Sequence, residues 1–272
     1  MSSPENKPRM AKAGRHPTRP PVVHRRRGSA GSGAPDGRVF LYGLHTVETA
    51  LANPKRVIHA IYCTRNALAR LEERGVALPV QPEIVDVRWI DTRVGEDAVH
   101  QGVLVETRPL EPVELTDLGR ATLVLALDQV TDPHNVGAIV RSAVALGADA
   151  LLTTTRHSPQ ETGVLAKAAS GGLDLLTHIE VVNLARSLQT LRKEGFTVVG
   201  LDSEGPAPLE ETEVGPRTVL VLGAEGKGLR PVTREACDHL ARVDVPGPIK
   251  SLNVSNAAVL SLWVVGRKHA GH

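Results

Sequence analysis

From Ala121 to the C-terminus, short apolar runs alternate with longer segments of helical periodicity. The runs Thr122–Asp128, Ala150–Thr154, Thr197–Asp202, Thr218–Gly223 and Ala241–Val245 are bounded by turn residues, the pattern of strands covered on both faces. Helices are predicted over Asn135–Leu146, Thr162–Ala169, Asn183–Glu194, Thr233–Leu240 and Val254–His269. Strands alternating with helices of this length predict an α/β domain with a mainly parallel sheet.

The chain before Ala121 reads differently. Order is expected to begin near Arg38, with the apolar run Val39, Phe40, Leu41. A small domain over residues 38–109 is predicted to hold a helix (Thr46–Ala52), a strand (Ile58–Cys63), a second helix (Asn66–Arg74) and a strand near Ile84. Residues 110–120 lack a period and carry Pro112 and Gly119, so they read as a linker to the larger domain, residues 121–272. Residues 1–37 are rich in Pro, Gly, Ser and Arg without apolar periodicity and read as a disordered basic tail.

Three loops at the predicted carboxyl ends of strands, where open parallel sheets bind ligands, have unusual compositions. The first is Asp128-Gln129-Val130-Thr131-Asp132-Pro133-His134-Asn135-Val136-Gly137. Asp132 and Pro133 are accounted for as a helix N-cap and first-turn proline. Asn135 and Arg141 are not, and six residues apart they fall within a third of a turn of one face. An arginine on an otherwise apolar helix calls for an anionic or carbonyl partner. The second loop is Gly223-Ala224-Glu225-Gly226-Lys227-Gly228-Leu229. It is neither the dinucleotide fingerprint nor a Walker loop, and by itself could be a tight turn. The third ends Ser251-Leu252-Asn253-Val254-Ser255-Asn256. One helix needs one cap, and the excess of Ser and Asn favours a ligand site.

Composition narrows the class. The chain has 272 residues, 41% apolar and 23% charged, as in a soluble globular protein. No apolar run approaches a membrane span, and the N-terminus has no apolar core of a secretory signal. Two cysteines, Cys63 and Cys237, make neither a disulfide framework nor a zinc site, and point to a reducing, cytoplasmic setting. Six aromatic residues argue against an RNA surface built from stacked rings. The net charge of +2 divides into +7 over residues 1–38 and −5 over the remainder. The tail is either a contact for a polyanion or a solvated leader; its prolines and glycines leave no amphipathic transit helix.

Together, in order and spacing, the three loops resemble the motifs of the SpoU/TrmH group of SPOUT methyltransferases. Tyr42-Gly43-Leu44-His45-Thr46-Val47 and Val99-His100-Gln101-Gly102 resemble the start and end of the small L30e-like substrate-binding domain of one branch, which methylates a guanosine of 23S rRNA. The resemblance spans residues 38–268. It implies an α/β parallel-sheet domain closed by a deep trefoil knot, a homodimer, S-adenosylmethionine as cofactor, and methyl transfer to a ribose 2′-hydroxyl of RNA. No metal is required. It also implies that the backbone at Gly223, Val243 and Leu252 receives the cofactor, and that Asn135, Arg141, Glu225, Ser251 and Asn253 form the polar active-site set. A guanidinium is very hard to deprotonate, so Arg141 is assigned to holding a phosphate and stabilising a developing alkoxide. Glu225 is assigned to fixing its loop or pairing with Arg141.

The third motif departs from the family at Val243-Asp244-Val245, where Asp244 could bond a sugar or face solvent, and at Asn256. His134 and His100 read as turn residues whose rings bond backbone, Cys237 as a small packed side chain on a helix, and Trp263 as core or dimer interface. The same chemistry on tRNA or on a ribosomal-RNA adenosine is an alternative, as is a ribosome-assembly factor without catalysis. The absence of a G-x-G-x-x-G after a strand speaks against a dehydrogenase.

Overall fold

The computed structural model describes Met1 and residues 37–249 and 251–271; the tail read as disordered lies outside the described residues save for Met1 and Gly37. Two sheets organise the chain. The first is four-stranded, built from β1 (Val39–Tyr42), β2 (Ile58–Cys63), β3 (Glu83–Ile84) and β4 (Val103–Thr107) in the order β1-β4-β2-β3. One face is covered by α1 (Leu44–Ala52) and α2 (Arg65–Glu73), whose Leu44, Val47, Ala67 and Leu71 pack on Ile61, Val103 and Val105. The other face receives α3 (Val87–Val94), which buries Ile90 against Tyr42 and Leu104. The sequence reading omitted α3 and β4. Asp86 caps α3 by accepting from the Trp89 amide at 2.7 Å, a start signal that a helix of only eight residues scarcely amplifies.

The second sheet holds seven strands, every pairing parallel, in the order β7-β6-β5-β10-β8-β11-β9. These are β5 (Leu123–Asp128), β6 (Ala150–Thr154), β7 (Thr177–Val181), β8 (Thr197–Leu201), β9 (Ala207–Pro208), β10 (Thr218–Gly223) and β11 (His239–Arg242). The central strand β5 is buried along its whole length, as its uninterrupted apolar run requires. On one face lie α4 (Pro133–Ala145), α5 (Gly163–Ala169) and α8 (Val254–His269); on the other, α6 (Leu184–Lys193) and α7 (Pro231–Glu235).

The expected α/β architecture is present, with three local corrections. A helix was expected over Thr233–Leu240, but α7 ends at Glu235. The chain leaves it because Asp238 bonds β8 twice, its amide to the Val198 carbonyl at 2.8 Å and its carboxylate to the Val198 amide at 2.9 Å. The strand expected at Ala241–Val245 runs instead over His239–Arg242, because its partner β8 ends opposite Ala241 at Leu201. Strand β7 was not foreseen. It is an edge strand with His178 and Glu180 on one face, so its sequence lacks a buried strand's apolar run. Residues 110–120 are tied to that edge: the Val113 amide donates to the His178 carbonyl at 2.9 Å, and Leu118 is buried.

Two packing constraints set the frame. Gly137 of α4 lies against α5 so closely that an added Cβ would sit 2.5 Å from the Ala168 Cβ and 2.6 Å from the Leu165 carbonyl oxygen. Between the two sheets, the side chain of Arg56 is fully buried. Its guanidinium grips Asp174 through Nε at 2.7 Å and Nη2 at 3.2 Å, and Nη1 lies 2.6 Å from Glu161. Asn53 adds a further donor to Asp174 at 2.9 Å. Removing one member of a buried, hydrogen-bonded ion cluster strands the others' charge. Arg56→Ala should therefore lower unfolding stability by about 3–5 kcal/mol, read from the urea midpoint. A loss below about 1 kcal/mol would show that the cluster contributes little net stability.

Candidate active site

The site begins with a register. Asp128, the last residue of β5, pairs directly with Gly223, the last of β10, so the first and second loops leave the sheet side by side. Asp128 has no solvent exposure. Its carboxylate is answered by Arg230, which donates through Nε at 2.7 Å and through its backbone amide at 2.9 Å, drawing the end of the second loop back to the first. Within that loop the Gly228 amide donates to the Ala224 carbonyl at 2.8 Å. Gly223 has no room for a Cβ because the Gly228 backbone fills the space.

Helix α4 starts as its sequence implies. Asp132 accepts from the amides of His134 at 2.7 Å and Asn135 at 3.4 Å, with Pro133 in the first turn. Asn253 caps α8 in the same manner, its Oδ1 accepting from the Ser255 amide at 2.8 Å and the Ser255 hydroxyl at 2.6 Å. The other end of that amide carries the tertiary message: Asn253 Nδ2 donates to Asn135 Oδ1 at 3.0 Å. Residues 118 apart in sequence thus join the first and third loops.

These loops surround an open cavity of about 340 Å³. Asn135 and Glu225, both singled out from sequence, line it together with Gln129, Thr131, His157 and Lys227. Gln129 and His157 hold left-handed backbone, φ 62° and 68°, a conformation costly for residues with side chains and common at functional sites. Gln129 falls within the first loop but carried no assigned role, and neither His157 nor the Asp128–Arg230 pair was anticipated. An Asp at the end of an apolar strand was the available signal.

The remaining residues are placed less directly. Arg141 lies two turns along α4 from Asn135, is exposed, and makes no hydrogen bond or ion pair among the described residues. It is not among the residues lining the cavity, and the pairing with Glu225 weighed above is not formed. Ser251 is exposed. Val243 and Leu252 are half-buried at the two ends of the third loop. Asp244 is engaged by Arg242 Nε at 2.7 Å and largely exposed.

The His100 ring accepts from the Gly102 amide at 3.1 Å and meets Asp91 at 3.0 Å, the expected turn role. The His134 ring, by contrast, is exposed and bonds no backbone among the described residues. Cys237 lies just past α7, its thiol donating to the Thr233 carbonyl at 3.2 Å, and burial pushes its pKa up to about 12. Trp263 is 54% exposed and therefore not core. Among the described residues no His, Cys, Asp or Glu are grouped in threes to hold a metal ion.

Comparison with known proteins bears on the whole arrangement. The model of the SpoU rRNA Methylase family matches residues 122–263, and that described as RNA 2′-O ribose methyltransferase substrate binding matches residues 40–113. The chain is 37% identical over 241 residues to the 23S rRNA (guanosine-2′-O-)-methyltransferase RlmB of Pseudomonas aeruginosa, covering 84% of this chain and 96% of that protein. It is 34% identical over 243 residues to RlmB of Yersinia pestis, covering 84% and 97%. The fold is similar to that of the SpoU methyltransferase AviRb from Streptomyces viridochromogenes, solved with AdoMet, at TM-score 0.72 and 22% identity over 86% of this chain and 91% of that one.

Two substitutions separate the roles of Asn253. Aspartate keeps the capping oxygen but cannot donate to Asn135, whereas alanine loses both. Asn253→Ala should cost about 1 kcal/mol of stability and Asn253→Asp no more than a few tenths, by thermal or urea unfolding. Equal losses would show that the bond to Asn135, and not the cap, holds α8 in place.

Proposed function

Because the chain belongs to the SpoU rRNA methylase family, we propose that it transfers the methyl group of S-adenosylmethionine to the 2′-hydroxyl of a guanosine in 23S rRNA. The observation that carries this reading is the bond from Asn253 to Asn135. It draws the first and third loops together beside Glu225, in a cavity at the carboxyl ends of β5 and β10. Relatives named for this reaction match along nearly their whole length.

The residues present fit the cofactor. The third loop offers half-buried apolar side chains at Val243 and Leu252, with Ile249 73% exposed between them, suited to the faces of an adenine ring. Its backbone, with that at Gly223, offers polar groups for the ring edge. When bound, S-adenosylmethionine supplies an electrophilic methyl group. What remains for the protein is to place a ribose hydroxyl in line with it and disperse charge, a task of positioning. Asn135 and Asn253 hold each other's amides at fixed orientation and leave donor and acceptor groups for the ribose. Glu225, a carboxylate with no partner among the described residues, accepts hydrogen bonds from sugar hydroxyls, and Ser251 adds a hydroxyl at the entrance to α8. Arg141, likewise unpaired, holds the adjacent phosphate and stabilises the oxygen as its proton leaves.

Residues 38–109 form an L30e-like substrate-binding domain joined through 110–120 to a methyltransferase domain at 121–272, whose last segment is knotted. The protein is a homodimer in the cytoplasm. Val259, Leu260 and Trp263 leave an exposed apolar stripe on α8, 38%, 44% and 54% accessible, which a second copy would cover. No helix among the described residues is long and apolar enough to cross a membrane.

The decisive assay follows labelled methyl transfer from S-adenosylmethionine to unmodified 23S rRNA, mapped by resistance to alkaline cleavage. One protected guanosine is expected; no incorporation despite cofactor binding would move the substrate to tRNA or a pre-ribosomal particle. Arg141→Ala should keep cofactor affinity within about two-fold and lose at least about a hundred-fold in kcat/KM, roughly 2.7 kcal/mol. Loss of cofactor binding instead would contradict the phosphate role. Trp263→Glu should shift sedimentation from dimer to monomer, and an unchanged dimer would place the interface elsewhere.

A further inference from the structure

A second and larger cavity, about 680 Å³, lies between the two sheets and is separate from the one described above. This volume falls within the range of ligand sites. Its floor is one face of the sheet edge. Leu151 and Thr153 of β6, and His178 and Glu180 of β7, alternate onto that face in register, Leu151 opposite His178 and Thr153 opposite Glu180. Polar residues there need an explanation, because the same face farther into the sheet packs Leu123, Leu125 and Leu127 beneath α4 and α8. Thr153 is 3% exposed and bonds the His178 ring at 2.8 Å. The ring's other nitrogen makes no hydrogen bond among the described residues, and burial lowers the ring's pKa, which keeps it neutral.

Two features relate this cavity to the first. Asn135 lines one and the next residue, Val136, lines the other. The loop after β6 places His157 on the first and Ser158 to Thr162 on the second, so a single loop is their common wall. At the rim, Arg108 is exposed and its guanidinium has no partner among the described residues.

Resting on the proposed function, we propose that this cavity binds a guanine nucleotide of the substrate RNA beside the nucleotide that is methylated. Glu180 accepts from the guanine N1–H and N2–H₂ groups, and Arg108 meets a phosphate. The chemistry selects guanine, whose Watson–Crick edge sets two donors side by side to match the two oxygens of a carboxylate. Single-stranded RNA is read in this way, by hydrogen bonds to splayed-out bases held between side-chain walls. Leu165 and Pro159 supply such walls. A free guanine nucleotide offers the same edge, so the test must separate the two sources.

The variant is Glu180→Gln, an exposed edge-strand change that keeps shape but replaces one acceptor oxygen with a donor. Binding of guanosine and adenosine 5′-monophosphates to the full chain is followed by saturation-transfer NMR, and methyl transfer to 23S rRNA by KM and kcat. The expected result is a guanosine-selective signal that weakens about ten-fold in Glu180→Gln, with a matching rise in KM for RNA, kcat within two-fold and cofactor affinity unchanged. Arg108→Ala should raise the RNA KM in the same sense, with a steeper loss at high salt in the wild type. No guanosine signal, or one indifferent to Glu180→Gln, overturns the proposal. A Glu180-dependent signal with an unaltered RNA KM overturns the RNA assignment in favour of a free nucleotide. Should wild-type protein transfer no methyl to 23S rRNA, tRNA or pre-ribosomal particles while the guanosine signal persists, the methyltransferase reading falls and the guanine site stands.

Discussion

A carboxylate without solvent cannot be left unanswered, and Asp128 is such a group at the end of the central strand. Its two bonds from Arg230 decide where the chain goes after β10. Strand β10 enters between β5 and β8, which puts Gly223 beside Asp128, and the clamp then folds the glycine-rich loop over the strand ends. The neighbouring helix start at Asp132, the Asn135 amide and the cap of α8 all converge there. The cavity is thus defined by backbone that the buried Asp128 carboxylate anchors through Arg230, and placement of this kind is what a positioning catalyst needs.

Helix α5 links the remainder of the molecule to that centre. On one side it lies within van der Waals contact of α4 at Gly137, two residues from Asn135. On the other, Gly163 meets the Phe40 carbonyl and the Tyr42 ring of β1. Lys167 reaches Gln101 at 3.3 Å, and the Gln101 side chain also accepts from the Leu44 amide at 3.0 Å. The two characteristic segments of the small sheet, around Gly43 and Gln101, are therefore held to one another and to α5. With the Arg56 cluster, these contacts make the small sheet a fixed wall of the cavity between the sheets.

The chemistry divides along the same lines. Groups that are buried, Asp128, Arg56 and Asp174, are paired and shape the frame. Groups that are exposed and unpaired stay available to an RNA, Arg141 and Arg108 to its phosphates and Glu225 to its hydroxyls. Arg141 illustrates the difference. Its apolar helix called for an anionic or carbonyl partner, and with none among the described residues the guanidinium is left for a ligand.

Much of this was legible in the linear chain wherever the information was local. The apolar runs of β5, β6 and β10 marked buried strands because both faces of those strands are covered. Asp132 and Asn253 marked helix starts because a cap is satisfied within three residues. The three polar loops announced a site through residues that no cap or turn required. What the chain could not disclose were pairings between distant segments. The insertion of β10 beside β5, the Asn253–Asn135 bond and the Asp128–Arg230 clamp each join residues about a hundred positions apart, which no periodicity records. The short α7 and the edge strand β7 were misread or missed for the same reason: neighbours in space, not local propensity, ended the one and formed the other. The cavity between the sheets exists only because the two sheets meet there, and His178 and Glu180 on its floor left the segment of β7 without the apolar run that marks a strand.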